Sequence, residues 1–338
     1  MRLNTTIKET NMRPHFLVNL LWGLVLPACL AMGGAASAAD YPERQVRFIV
    51  PYTAGGASDA VTRIVAAKLS ELWKVAVIVD NRGGSGGNVG VEAGAKAPAD
   101  GYTLLMSTVG THGINPSLFA KLPYEPVKDF EPISLAASTV SVLLVHSSLP
   151  VSSVAELIAF AKANPGKVNF GSSGNGSSHH LAGEMFNALA GVKTVHVPYK
   201  GTSTMLTDLL SGQIQMTFDA LPSALPHIKS GKLRALAVTS PERNRALPDL
   251  PSMQESGVAG YDVGSWYGVL APAGTSKDII QKISTDVARV VAMPDVREKL
   301  MGQGAVPIGS SPAQLAAHIQ REIKKWAEVV KYSGAVVN

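Results

Sequence analysis

Two glycine- and serine-rich runs hold the residues of this chain best suited to chemistry: Ala54-Gly55-Gly56-Ala57-Ser58-Asp59 and Gly171-Ser172-Ser173-Gly174-Asn175-Gly176-Ser177-Ser178. Each follows a short apolar run and precedes an amphipathic one, so each reads as a strand-to-helix loop. The first N–H groups of a helix have no intrahelical acceptor, and the helix dipole adds partial positive charge there. Small side chains let an anion approach those amides closely. Two such loops in separate halves predict a clamp on a small carboxylate. The binding groups expected from them are Ala54, Gly55, Gly56, Ser58 and Asp59 on one side, with Ser172, Asn175, Gly176, Ser177 and His180 on the other. Tyr52, Ser107, Thr108, Tyr199 and Asp219 fall at the carboxyl ends of predicted strands and complete the expected set. A side chain at Gly55 is expected to block the anion.

Rival chemistries are weaker. Gly83-Gly84-Ser85-Gly86-Gly87 matches the G-x-S-x-G nucleophile elbow, which would make Ser85 the nucleophile of a secreted hydrolase. A run this rich in glycine matches by accident, and the downstream histidines are too many to single out a base. Gly174-Asn175-Gly176 resembles a truncated dinucleotide fingerprint, but His179 stands where the third glycine belongs. His179, His180 and Glu184 include one pair at helical spacing and no evident third metal ligand. Neither a metal nor a cofactor is expected.

The elements that must position these loops alternate. Strand readings at 46–50, 75–79 and 102–106 are separated by helical stripes at 58–72, where Asp59 is placed to cap the start, and at 88–97. A long apolar run at 135–145 reads as a crossing strand. A second α/β unit follows, with strands at 167–170, 194–197, 215–218 and 233–238 and helices at 151–163, 179–189, 205–210 and 221–230. A return strand at 261–270 and helices at 278–292 and 312–332 close the chain. The expected class is α/β, two lobes each built on a mostly parallel sheet flanked by helices, with lobe 1 at 39–140 and 262–338 and lobe 2 at 141–261. Both loops then sit beyond the carboxyl ends of strands, where open α/β sheets bind ligands.

Composition narrows the class. Arg2, Lys8 and Arg13 precede a nearly apolar stretch from Phe16 to Met32, and Ala36-Ser37-Ala38 offers a small-x-small cleavage site, so residues 1–38 read as a removable export signal. Lipoprotein processing at Cys29 is the lesser alternative. Cys29 is the single cysteine, which leaves an exported chain without a thiol or disulfide. The net charge of +5 is partly that of the leader, and the remaining basic residues are scattered among acids. Nucleic-acid binding is not expected.

The ordered motifs resemble one family, the periplasmic substrate-binding receptors of tripartite tricarboxylate transporters, also called Bug receptors. They are Tyr41-Pro42, Ile49-Val50-Pro51-Tyr52, Ala54-Gly55-Gly56 with Asp59, Asp80-Asn81-Arg82-Gly83-Gly84, Asp100-Gly101-Tyr102-Thr103-Leu104-Leu105, Leu122-Pro123-Tyr124 and Asp129-Phe130. Further on come Gly174-Asn175-Gly176-Ser177, His180-Leu181-Ala182-Gly183-Glu184, Val197-Pro198-Tyr199-Lys200-Gly201, Leu236-Ala237-Val238-Thr239-Ser240 and Trp266-Tyr267-Gly268. The resemblance implies a two-lobed Venus-flytrap fold, a periplasmic monomer, a small organic acid ligand (a di- or tricarboxylate, an amino acid or an aromatic acid), and delivery to membrane permease subunits. It further implies that a carboxylate is gripped by backbone amides, hydroxyls and water from the two loops. A sensor that signals through a membrane partner would share these features.

Overall fold

The computed structural model describes residues 1, 41–199, 202–244 and 247–335. The leader beyond Met1, Cys29 and the Lys200-Gly201 part of one motif therefore lie outside the described residues.

In chain order the elements are β1 (Val46–Val50), α1 (Ala57–Trp73), β2 (Val77–Asn81), α2 (Asn88–Ala95), β3 (Thr103–Thr108), α3 (Asn115–Leu118) and β4 (Phe130–His146). They continue through α4 (Val154–Ala163), β5 (Asn169–Ser172), α5 (Ser178–Ala190), β6 (Val195–Pro198), α6 (Thr202–Leu210), β7 (Met216–Ala220), α7 (Leu221–Lys229) and β8 (Leu233–Val238). The chain ends with β9 (Gly264–Pro272), α8 (Lys277–Ala292), α9 (Pro294–Gly302), β10 (Ala305–Pro307) and α10 (Pro312–Ser333). A 3-10 turn at Ser85–Gly87 leads into α2, and a π-helical turn at Val109–Ile114 follows β3.

Local sequence accounts for most of these. α8 buries Ile279, Ile280, Ile283, Val287, Val290 and Val291, a stripe at helical spacing, and Ser276 caps its start. α10 opens on a capping box of Ser311 and Gln314 with Pro312 at its first position, and ends on left-handed Gly334. At α1 the expectation needs correcting. The N-cap is Gly56, which has no side chain to offer, and Asp59 lies inside the helix.

The sheets are mixed rather than mostly parallel. Between the strands named above, parallel pairing joins β2 with β1 and β1 with β3 in one sheet, β6 with β5 and β5 with β7 in the other. The long strand β4 is antiparallel to every neighbour: β9 and β10 along its first part, β7 and β8 along its second. β9 runs against β3 and β4 against β7, directions that a linear pattern of apolar runs does not disclose.

β4 passes from one sheet to the other between Val140, paired with Gly264, and Ser141, paired with Ala220. Fully buried Thr239 clasps that point. Its N–H donates to Ser141 O (2.9 Å), its Oγ1 accepts from Ser141 N (3.0 Å), and its carbonyl accepts from Val263 N (3.1 Å) just before β9. The buried core includes Phe48 and Leu104 in the first sheet, Phe170 and Phe218 in the second, and Trp326 of α10. Each large apolar side chain so buried contributes about 1.5–3 kcal/mol. No helix among the described residues is long and apolar enough to cross a membrane.

Candidate functional site

The carboxyl ends of β1, β2, β3 and β5 open onto one cleft of about 690 Å³. Its wall comes from the segments that follow those strands, and from Ser265 and Tyr267 of β9, whose antiparallel register sets Tyr267 beside Thr108. None of the residues lining it is ionisable apart from the phenols Tyr52 and Tyr267. Burial pushes both phenols up, so they remain neutral hydrogen-bonding groups. Tyr52 Oη lies 3.0 Å from Thr108 Oγ1, which ties the β1 loop to the π turn.

The first glycine loop is pinned from below and open above. Gly55 takes φ +90°, and its N–H donates to Asp59 Oδ2 (2.8 Å). Arg63 Nε and Asn81 Nδ2 also donate to the Asp59 carboxylate, each at 3.0 Å, and Asn81 Nδ2 donates to Tyr52 O at 3.1 Å. Burial alone would raise the Asp59 carboxyl. The donors from Arg63, Gly55 and Asn81 outweigh it and hold the group below its ordinary value. Above this pin, Gly56, Ala57 and Ser58 line the cleft at a helix start that no side chain caps.

The second loop is wired within itself. Gly174 N–H donates to Ser172 Oγ (3.1 Å), Gly176 N–H to His180 Nδ1 (3.0 Å) and Ser177 N–H to Gly174 O (3.2 Å). Ser177 Oγ caps α5 by accepting from His180 N (3.3 Å). Ser172 Oγ lies 2.6 Å from His196 Nε2, and the His180 and His196 rings stack at 3.8 Å between centroids, with Phe170 against His196 at 5.0 Å. Burial, with His180 beside it, lowers His196 to about 4, and burial lowers His180 as well. What this loop turns to the cleft is side chains and outer backbone at Ser173, Asn175, Gly176, Ser177 and Ser178. Gly176 also approaches the opposite wall, where an added Cβ would lie 2.3 Å from Leu118 Cδ2.

Of the residues expected at the site, the fold brings Tyr52, Gly56, Ser58, Thr108, Asn175, Gly176 and Ser177 to the cleft wall. The others stand off it for identifiable reasons. Ala54 and Gly55 form the exposed outer turn, and Asp59 points back beneath it. Ser107 is fully buried within β3, on the strand face opposite to Thr108. Ser172 and His180 are consumed in the wiring just described. Tyr199 donates to Asp208 Oδ2 (2.8 Å), and burial first, then Asp208, pushes its phenol to about 12. Asp219 is 1% exposed and bonded to His179 and Ser223.

Sequence reasoning missed the π turn, which supplies Val109, Gly110 and Ile114, and missed Asn115, Leu118 and Phe119 after it. Val109-Gly110-Thr111-His112-Gly113 follows a strand and carries two glycines, so the signal was present. Ser173 lies in the second loop and Tyr267 in the Trp266-Tyr267-Gly268 motif, though neither was expected among the binding groups, and Ser265 carried no signal. Ser85 lines the cleft at φ +47°, but no hydrogen bond joins its hydroxyl to a histidine among the described residues, so the elbow lacks its base. Likewise, His179 is turned toward Asp219, and no group of metal-ligating side chains assembles among the described residues.

Known proteins resemble this chain over most of its length. The family model described as "Tripartite tricarboxylate transporter family receptor" matches residues 61–335, which begins just past the first loop and includes the second. Protein BugT of Bordetella pertussis is 36% identical over 309 residues, spanning 91% of this chain and 95% of BugT. The structure of R. palustris Rpa4515 with adipate is 40% identical, covers 87% of this chain and 98% of that one, and superposes with a TM-score of 0.78. MatC of Rhodopseudomonas palustris with bound malate is 33% identical, covers 86% and 100%, and has a TM-score of 0.73.

Proposed function

Because the chain belongs to the tripartite tricarboxylate transporter receptor family, periplasmic solute-binding proteins and not enzymes, we propose that it captures a small organic carboxylate in this cleft for delivery to the membrane permease subunits of such a transporter. Rpa4515 with adipate and MatC with malate set the ligand class to test first.

The observation that carries the reading is a cleft without a charged wall on which element starts from both sheets converge. A carboxylate there is held by oriented dipoles: the N–H groups of Gly56, Ala57 and Ser58 on one side, the hydroxyls of Thr108 and Ser177 and the Asn175 amide on the others. Hydrogen bonds to a charged acceptor contribute about 1.5–3 kcal/mol each, so a few such donors suffice for micromolar affinity. The lobes of the proposal are residues 39–140 with 262–338, and 141–261. Closure pivots where β4 and the segment before β9 cross, around Thr239, and ligand contacts made only in the closed state shift the population. Residues 1–38 act as the export signal, removed on delivery to the periplasm.

Thermal-shift screening of C3–C8 mono-, di- and tricarboxylates, amino acids and aromatic acids tests the reading, followed by calorimetry on the best hit. An acid at a hundredfold its Kd stabilises by about 2.7 kcal/mol, and adipate or malate analogues are expected among the hits. A screen in which no acid raises the melting temperature overturns it.

A further inference from the structure

One side chain on the second loop has its hydrogen-bonding direction set from outside the cleft. Asp219, at the end of β7, is 1% exposed. Ser223 Oγ donates to its Oδ2 at 2.6 Å, and His179 Nε2 lies 3.2 Å from its Oδ1. A carboxylate can only accept, so Nε2 carries the imidazole proton. With the ring neutral, Nδ1 has a lone pair and no hydrogen. Ser173 Oγ lies 2.9 Å from that Nδ1. A hydroxyl has a single proton, and here it is given inward to Nδ1.

Ser173 also lines the cleft. The capacity left on its oxygen is therefore for accepting. We infer that Ser173 is a specificity-determining residue, held by the His179–Asp219 relay as a hydrogen-bond acceptor toward the ligand, and that the preferred acid carries a hydroxyl or N–H donor in addition to its carboxylate. This rests on the receptor reading above and gives it a finer ligand class. The cleft is then polar in a directed way, with donors at the start of α1 and an acceptor at Ser173. An acid with acceptors alone sets lone pairs against the Ser173 oxygen and leaves it unpaired, and a site built around such a bond discriminates against a ligand that cannot make it.

The experiment uses matched pairs at pH 8: lactate and propionate, malate and succinate, 2-hydroxyadipate and adipate, mandelate and phenylacetate. In the pair that binds best, the hydroxy acid is expected to bind at least tenfold more tightly than its deoxy partner. Ser173→Ala is expected to shrink that ratio below about threefold. Asp219→Asn, whose amide can donate to Nε2 and favour the other tautomer as in the Ser-His-Asp systems, is expected to reduce or invert it. Independently of any ligand, long-range proton–nitrogen spectra should report His179 as the Nε2–H tautomer. Equal binding within pairs, a ratio that survives Ser173→Ala, or an Nδ1–H or doubly protonated His179 overturns the inference and leaves the receptor reading standing. Failure of every acid to bind overturns the receptor reading, and the tautomer then still decides how Ser173 is oriented.

Discussion

The loop after β1 and the loop after β5 are near twins in composition and opposites in wiring. In the first, a single acid, Asp59, gathers Gly55, Arg63 and Asn81 beneath the turn, and the helix start above it at Gly56 goes without a side-chain cap. In the second, amides of Gly174, Gly176 and Ser177 are satisfied within the loop, and Ser177 caps its helix. In the first, the amides of Gly56, Ala57 and Ser58 line the cleft without a side-chain cap; in the second, three amides are taken within the loop and the side chains of Ser173, Asn175 and Ser177 share the wall. Glycine and serine content marks a place where an anion could approach. Whether the amides are available depends on which neighbours have already taken them.

The largest expected effect that tests this contrast comes from Gly176→Val. Gly176 has φ +73°, and its Cβ would meet Leu118 Cδ2 at 2.3 Å, so the substitution strains the loop by about 1–3 kcal/mol and wedges it off α3. Calorimetry should show ligand affinity reduced about a hundredfold. Unchanged affinity would mean that this approach of the walls has no part in closure.

Asp59→Asn is next. Arg63 is half exposed, so its pairing is discounted for solvent and the loss of stability is about 1 kcal/mol. The pH dependence has a definite sign. The folded carboxyl lies below its unfolded value of 3.8, so its contribution is present above about that pH and is lost as pH falls through the folded value. In urea titrations the difference between wild type and Asp59→Asn should hold at pH 7 and vanish under strong acid.

The second loop should yield to acid earlier. His196 takes up a proton near 6.5 when unfolded and at about 4 when folded, so the unfolded state binds more protons between these values. Stability contributed around the His180–His196 stack is intact above 6.5, falls with pH through that window and levels off below about 4. Hydrogen exchange measured from pH 7 to 4.5, corrected for intrinsic rates, should show residues 172–180 losing protection while residues 54–59 do not. Equal loss in both loops would erase the distinction.

The smallest pair of effects separates adjacent glycines. Gly55→Val meets nothing within 4 Å but must adopt φ +90°, so it is expected to lower stability by about 1 kcal/mol with affinity changed less than threefold. Gly56→Ala is unstrained and places a methyl on the cleft wall, so the fold is expected to hold and affinity to fall severalfold. This reverses the expectation drawn from sequence, in which Gly55 was the position where bulk would block the anion.

Much of the architecture was legible. The helical stripes at α1, α8 and α10 and the strand at Leu233–Val238 follow from spacing and caps that are local in the chain. α9 and β10 were not read, because a nine-residue helix with few apolar positions and a three-residue strand carry almost no periodicity. Tyr52, Thr108 and the loop residues Asn175 to Ser177, expected because strand ends are visible in sequence, do lie on the cleft wall. Asp219 and His180 were assigned to the ligand because polar residues at strand and helix ends look alike whether they face a cleft or a neighbour.

The sequence by itself determined the alternation of strands and helices, the placing of two anion-suited loops at strand ends, and the family. Those properties are written in contiguous residues, through periodicity, capping and backbone freedom. The tertiary structure decided the antiparallel crossing of β4, the arrival of Tyr267 beside Thr108, and which amides of the two loops are already bonded. Each of these depends on partners distant in the chain, Asn81 for Asp59, His196 for Ser172 and Asp219 for His179. A hydrogen bond consumes a donor wherever its acceptor comes from, and only the folded chain says where that is.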